Sequence, residues 1–344
     1  MKRMLVAIIV LAISVCFATP SIAQQTPQVP FAQRRVELEN GIIGKPLTFE
    51  SANPRNFEEV ISKSFLASVK LDGQLFVPAG VGPHAVVIIV PGSRGVTPDY
   101  LKYAQELTSV GLAVYAFDPY TGRGLKDSVS DQGAITRAAS SYDVLAAGRM
   151  LAAQPGIDRQ RIGALGCSRG GLAVLLAAQQ QMTKAVLGER MSLKAVVAAW
   201  PACSYQFEHP MTAPTAVRLL VGDSDNWVGP LQCQGQATAM LAYNPEVSIR
   251  LFKGAYHGFG TYAPVVEMPN AETALRAPII YVNDQGAFLD MYTGKPIPGA
   301  DDAYMRSVGA PWRVRGPANV GTKPGQTKAF IDDMVGFFKV QLKQ

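Results

Sequence analysis

Two periods of apolar and polar positions alternate along the chain. From about residue 60 onward, short continuous apolar runs rich in β-branched residues are separated by longer stretches of helical period. Ala85–Val90 and Leu112–Phe117 are such runs, the pattern of strands buried on both faces. Arg161–Leu165, Leu193–Trp200, Ala216–Val221 and Val247–Phe252 repeat it. Thr97–Val110, Ala134–Gln154 and Arg169–Gln181 carry apolar positions at helical spacing. Thr97 is a candidate N-cap, Asp99 an acid in the first turn, and Pro155-Gly156 a stop. Lys328–Lys343 predicts a last amphipathic helix. Ahead of these, Asp72-Gly73 between Phe65–Leu71 and Gln74–Pro78 predicts a hairpin. Strands alternating with helices imply an α/β fold with a mainly parallel central sheet, helices on both faces and an antiparallel edge from the hairpin.

Two stretches fall outside this alternation. Residues 24–59 open with a Gln- and Pro-containing segment of no clear period and are expected to form an N-terminal arm on the surface. Residues 261–326 hold many Pro and Gly and only short apolar runs such as Ala277–Val282. A structureless loop of that length is uncommon in a compact domain, so an insertion or cap is expected within a single domain spanning 60–344.

Composition narrows the class. At 344 residues, 48% hydrophobic and 17% charged, the chain has material for a large core and too little charge for a disordered polyelectrolyte. The net charge of +6 comes without a long Lys/Arg run, which reads as a mildly basic surface and calls for no nucleic-acid partner. Lys2 and Arg3, the apolar run Met4–Phe17 and the small residues Ser21 and Ala23 together read as a signal peptide over 1–23. A cleaved, periplasmic or secreted protein without a stable membrane anchor is expected, with about +4 left after removal. Export permits a disulfide. Cys167 lies in an apolar strand-to-turn stretch, so the expected pair is Cys203–Cys233. The three histidines, His84, His209 and His257, stand in no ligand-spaced cluster, and no metal or other cofactor is called for.

The most specific motif is Gly166-Cys167-Ser168-Arg169-Gly170, between a predicted strand and a predicted helix. This is the context of a nucleophile elbow. The turn is so tight that side chains two places either side of Ser168 would clash, and glycine stands at both. A serine hydroxyl is a weak nucleophile until a base takes its proton. His84 precedes a strand at the far edge of the sheet, and nothing near His209 marks it. His257 follows the last predicted strand, at the carboxyl edge shared with Ser168, and is the candidate base. The acid that would orient it is Asp225, with Asp223 the alternative, in the loop after Ala216–Val221. The backbone N–H of Arg169 and one from Ser93 or Arg94 are the candidate oxyanion donors. Tyr120, Arg123, Trp200, Tyr205, Trp227 and Tyr256 fall in loops at the same edge, where aromatics can bind an apolar group and Arg94 or Arg123 can pair with a carboxylate.

The elbow, the Asp after a strand and the stretch Gly254-Ala255-Tyr256-His257-Gly258-Phe259 resemble the dienelactone hydrolase family of α/β-hydrolases over roughly residues 60–260 and the last helix. The resemblance implies an α/β-hydrolase fold and a hydrolase of small-molecule esters or lactones. The chain departs from the family's namesake enzymes by carrying Ser168 where they carry a cysteine, and by the region 261–326, absent from short members. The elbow alone does not choose between ester, polyester and peptide substrates, nor exclude a non-catalytic binding protein on the same scaffold.

Overall fold

The computed structural model describes residues 29–64, 67–273 and 275–343. The expected signal peptide and Phe65 lie outside them. In chain order the strands up to residue 252 are β1 (Lys45–Ala52), β2 (Ser68–Phe76), β3 (His84–Val90), β4 (Ala113–Asp118), β5 (Ile157–Cys167), β6 (Ala195–Ala199), β7 (Tyr205–Phe207), β8 (Ala216–Gly222) and β9 (Val247–Phe252). All but the outlying β7 form one sheet, in the order β1-β2-β4-β3-β5-β6-β8-β9. All pairs from β4 to β9 in that sheet are parallel, and β1 and β2 add the antiparallel edge.

The parallel strands are buried on both faces because helices cover both. On β3, Val86, Ile88 and Val90 face a core shared chiefly with α3 (Arg137–Ala152), α4 (Arg169–Ala177), α5 (Gln180–Leu187) and α6 (Leu231–Leu241). The alternating Ala85, Val87 and Ile89 face the second core, shared with α2 (Pro98–Ser109) and α8 (Gln326–Leu342). Phe330, Met334, Phe338 and Leu342 recur at helical spacing on α8, and none is exposed to solvent. Each such side chain contributes roughly 2–3 kcal/mol by leaving water.

The structure corrects three expectations. Asp72-Gly73 is not a turn. The chain runs straight through it as β2, pairing Thr48 with Asp72 on one side and Gly73 with Phe117 on the other. Glycine is there because a Cβ would stand 2.6 Å from the Tyr115 ring and 2.5 Å from the Ala116 carbonyl oxygen. The stretch 24–59 is not simply a surface arm. It supplies β1 and the start of the short helix α1 (Phe57–Ile61), capped by the Asn56 side chain on the Glu59 N–H, and it buries Phe31, Leu38 and Phe57. The helix expected over 169–181 breaks after Ala177 into α4 and α5, where the Gln180 N–H turns to the Met211 carbonyl.

Region 261–326 has structure of its own. It contains β10 (Val266–Thr273), β11 (Ile280–Val282), α7 (Asp302–Val308) and β12 (Val314–Val320). β10 pairs antiparallel with β12, and β11 pairs parallel with β7. The Cys203–Cys233 disulfide joins the turn after β6 to α6 across 30 residues, a closure that removes about 3–4 kcal/mol of unfolded-chain entropy.

Cys167 is buried under the elbow, and burial pushes its thiol pKa well up. In the chain cleaved after Ala23, which no longer carries Cys16, a thiol reagent is expected to find no reactive cysteine in the native protein and one after unfolding without reductant. Two or more would contradict the disulfide. On α8, Asp333 accepts bonds from Arg218 of β8 at 2.8 and 2.9 Å and from Arg250 of β9 at 2.8 Å. Burial opposes the charge, yet the two guanidinium groups hold its pKa below the usual carboxylate value. Asp333→Asn is expected to lower stability by about 2 kcal/mol in denaturant titrations at neutral pH. Because the folded value is depressed, that difference is full above the unfolded carboxylate pKa of about 4 and vanishes as the pH falls through the folded value.

Candidate active site

Ser168 sits between β5 and α4 with φ 55° and ψ −117°, a conformation that costs a side-chain-bearing residue of order 1–3 kcal/mol. The flanking glycines make the turn possible. A Cβ on Gly166 would lie 2.0 Å from the Gly170 carbonyl oxygen, and one on Gly170 would lie 2.2 Å from that of Val90. The Ser168 N–H donates to the Ala199 carbonyl at 2.9 Å, and the hydroxyl stands at the open N-terminus of α4.

His257 reaches this hydroxyl from the loop after β9. Its Nε2 lies 2.9 Å from Ser168 Oγ, and its Nδ1 lies 2.8 Å from Asp225 Oδ2. With the carboxylate on Nδ1, the imidazole carries its proton there and leaves Nε2 free to accept from the serine. Asp225 is 3% exposed and His257 7%. Burial alone would raise the Asp225 pKa. The His257 imidazole and the N–H groups of Val228 and Trp227, 3.0 and 2.9 Å from Oδ1, outweigh burial and hold it below the usual value. The alternative acid, Asp223, holds backbone instead: it accepts from the Gly254 N–H at 2.7 Å and fixes the start of the His257 loop.

These groups open into a cavity of about 360 Å³. Ser93, Arg94 and Arg169 line it beside Ser168 and His257, as do Trp200, Tyr205 and Trp227. Trp227 places its ring 5.3 Å from that of His257 and donates Nε1–H to the Glu272 carbonyl at 3.1 Å. Most of Trp200 is taken up by packing on Phe259 and Phe330.

Three residues expected to touch substrate stand elsewhere. Tyr120 is behind the cavity, its hydroxyl donating to the Gly92 carbonyl at 3.1 Å. Arg123 is committed to a buried pair with Asp143, at 2.8 and 2.9 Å, and to the Ala52 and Pro119 carbonyls. Tyr256 turns away beneath the Lys323 ammonium, 4.3 Å from its ring centre. His209 pairs with Asp284 at 3.0 Å, outside the cavity, and His84 begins β3 at the opposite edge.

The cavity wall that sequence reasoning missed comes from region 261–326: Met268, Glu272, Met291, Met305, Arg306 and Arg313. No periodic signal marked them, because they sit on short elements whose placement depends on the rest of the fold. The same region secures the loops at the carboxyl edge of the sheet. Gly321 N–H donates to the His257 carbonyl at 2.8 Å, and Asn319 N–H to Asn226 Oδ1 at 2.9 Å.

Among solved structures, the chain is similar to a dienelactone hydrolase-like promiscuous phosphotriesterase from metagenomic libraries. That structure is 15% identical, has a TM-score of 0.53, and the match covers 88% of this chain and 99% of that one. A propionate-bound esterase from Thermogutta terrifontis is 18% identical with a TM-score of 0.44, over 57% of this chain and 82% of that one. Among curated proteins, an uncharacterized 31.7 kDa protein from the traX-finO intergenic region of Escherichia coli is 32% identical over 115 residues. That match spans 33% of this chain and 39% of the relative. Residues 71–277, more than half of the chain and inclusive of Ser168, Asp225 and His257, match the Dienelactone hydrolase family, and the chain belongs to that family.

Proposed function

We propose that the protein is an exported serine hydrolase that cleaves a carboxylic ester or lactone through an acyl-enzyme intermediate. The observation that carries this reading is the unbroken run of hydrogen bonds Ser168–His257–Asp225 at the floor of a cavity, with the serine on a strained strand-to-helix turn. In this reading Ser168 Oγ attacks the carbonyl carbon as His257 Nε2 takes its proton. The tetrahedral oxyanion is held by the Arg169 N–H and by one from Ser93 or Arg94. His257 then returns the proton to the leaving alcohol, and water repeats the sequence on the acyl-enzyme. Asp225, kept ionised, orients the ring and stabilises its cationic form. Export is supported by the basic, apolar and small-residue order of residues 1–23 and is compatible with the disulfide.

The wall supports a narrower substrate class. Met268, Met291, Met305 and Trp227 offer apolar, adaptable surface. Arg306 and Arg313 also line it, each 20% exposed, with their nearest acids, Asp131 and Glu272, at 4.0 and 3.8 Å. Guanidinium groups so loosely paired favour a substrate whose acyl or alcohol part carries a carboxylate.

Turnover of short p-nitrophenyl esters tests the first reading. Ser168→Ala is expected to lower kcat by at least about ten-thousand-fold and Asp225→Asn by about a thousandfold or more. Equal rates for wild type and Ser168→Ala would end the catalytic assignment. For the wall, Arg306→Leu combined with Arg313→Leu is expected to raise KM for a half-ester of a dicarboxylic acid by about 10- to 100-fold. The neutral diester should be nearly unaffected. An equal change for both would show that the arginines read no charge.

A further inference from the structure

We infer that Gln132 is a positioning residue for the oxyanion hole, holding the loop that carries one donor at a fixed distance from the residue that carries the other. The inference rests on the reading of Ser168 as nucleophile.

The two donor segments are far apart in sequence. One is the Arg169 N–H at the start of α4. The other is the Pro91–Gly95 loop after β3. An oxyanion is stabilised only if both point at the same spot before the charge develops, so the gap between the segments has to be held to a fraction of an ångström. The loop cannot do this alone. Gly95 has φ +73°, Gly92 carries no side chain, and Pro91 has no N–H to bond.

The loop is fixed from outside. Tyr100 Oη accepts from the Gly92 N–H at 2.8 Å, and Tyr120 Oη donates to the Gly92 carbonyl. The Ser128 N–H donates to the Ser93 carbonyl at 2.9 Å. The Ser93 hydroxyl lies 3.0 Å from Oε1 and 2.9 Å from Nε2 of Gln132, and Nε2 also donates to the Ser128 carbonyl at 2.8 Å. Tyr100 also touches Cys167, at the near end of the elbow, but of these braces Gln132 is the one bonded to Arg169 itself. Its backbone carbonyl accepts from Arg169 Nη1 at 2.7 Å and from Arg137 Nη1. The Arg169 guanidinium goes on to the Ile135 carbonyl and to Ser140 Oγ at 3.2 Å. Arg169 is 7% exposed and, among the described residues, pairs with no carboxylate. Its donors serve the segment 132–140, which carries Gln132.

One residue, Arg169, therefore offers its backbone N–H to the oxyanion and its side chain to Gln132. Gln132 in turn grips Ser93 through its amide. Beyond the close approach of Gly170 to Val90 and Pro91, a side-chain route between the two halves of the hole thus runs through this glutamine, which itself lines the cavity.

The test compares wild type, Gln132→Ala, Ser93→Ala and the double variant on a p-nitrophenyl ester. Ser93→Ala keeps its backbone N–H and removes only the hydroxyl that Gln132 holds. Each single variant is expected to lower kcat about 10-fold or more, toward the range seen when an oxyanion donor is lost, with KM within about twofold. Affinity for a trifluoromethyl ketone, which adds Ser168 to form an anionic hemiketal, should fall by the same factor as kcat/KM. The double variant should be no worse than Gln132→Ala. Unchanged ketone affinity, a loss confined to KM, or losses that multiply in the double variant would each overturn the inference. Should Gln132→Ala fail to fold, Ser93→Ala alone must show the split, and wild-type behaviour there overturns it. Absence of Ser168-dependent turnover in the wild type would remove the underlying reading as well, whereas normal turnover with indifferent variants removes only this inference.

Discussion

Ser168 occupies a backbone conformation that an L-residue avoids, and much of the carboxyl edge of the sheet is arranged to keep it there. Two glycines let β5, α4 and the end of β3 approach to contact. From that point a series of main-chain bonds steps across the edge. Ser168 N–H binds the Ala199 carbonyl, Trp200 N–H the Leu220 carbonyl at 2.7 Å, and Ser224 N–H the Ala255 carbonyl at 3.1 Å. Each step joins the ends of neighbouring strands, and together they carry the elbow's position to the Asp225 loop and then to the His257 loop. Trp200 shares the strain, with φ at 37°. The geometry of the three side chains is thus set by main-chain bonds at or within two residues of each of them.

This explains why the hydrogen-bonded residues Ser168, His257 and Asp225 can be placed together from the chain while the cavity cannot. In a parallel sheet, a residue just after a strand must lie at the carboxyl edge. Ser168, Asp225 and His257 each follow a strand whose apolar run is plain in the sequence, so strand order alone put them on one side. Gly166 and Gly170 marked the turn because nothing larger fits. Strand order puts Asp223 at the same edge as Asp225 and does not separate them; the structure gives each acid its own partner.

The misplaced residues have equally local causes. Asp72-Gly73 has turn chemistry, but Gly73 is there to let the Tyr115 ring pass, a constraint from a strand more than forty residues later. Arg123 was placed by its loop, whereas its partner Asp143 lies on α3 and draws the guanidinium into the interior. Tyr120 and Tyr256 share that fate: a loop position fixes where a Cα is and says little about which way its side chain leaves. For 261–326 the difficulty was deeper. Its elements pair with one another or with a short outlying strand, so their register is decided by tertiary contacts and no period survives in the sequence.

The seam between that region and the core has a mechanical meaning. β12 borders the imidazole's own loop through the bridge between His257 and Val320, and the Asp225 loop is tied to it through Asn319. A hinge that lifted β12 would take the His257 and Asp225 loops with it. The region is a retaining wall and not a door, and a truncated chain lacking it would lose the alignment of groups it never contributes to directly. What can change shape without disturbing this seam is the part of the wall made by the long unbranched side chains of Met268 and Met291.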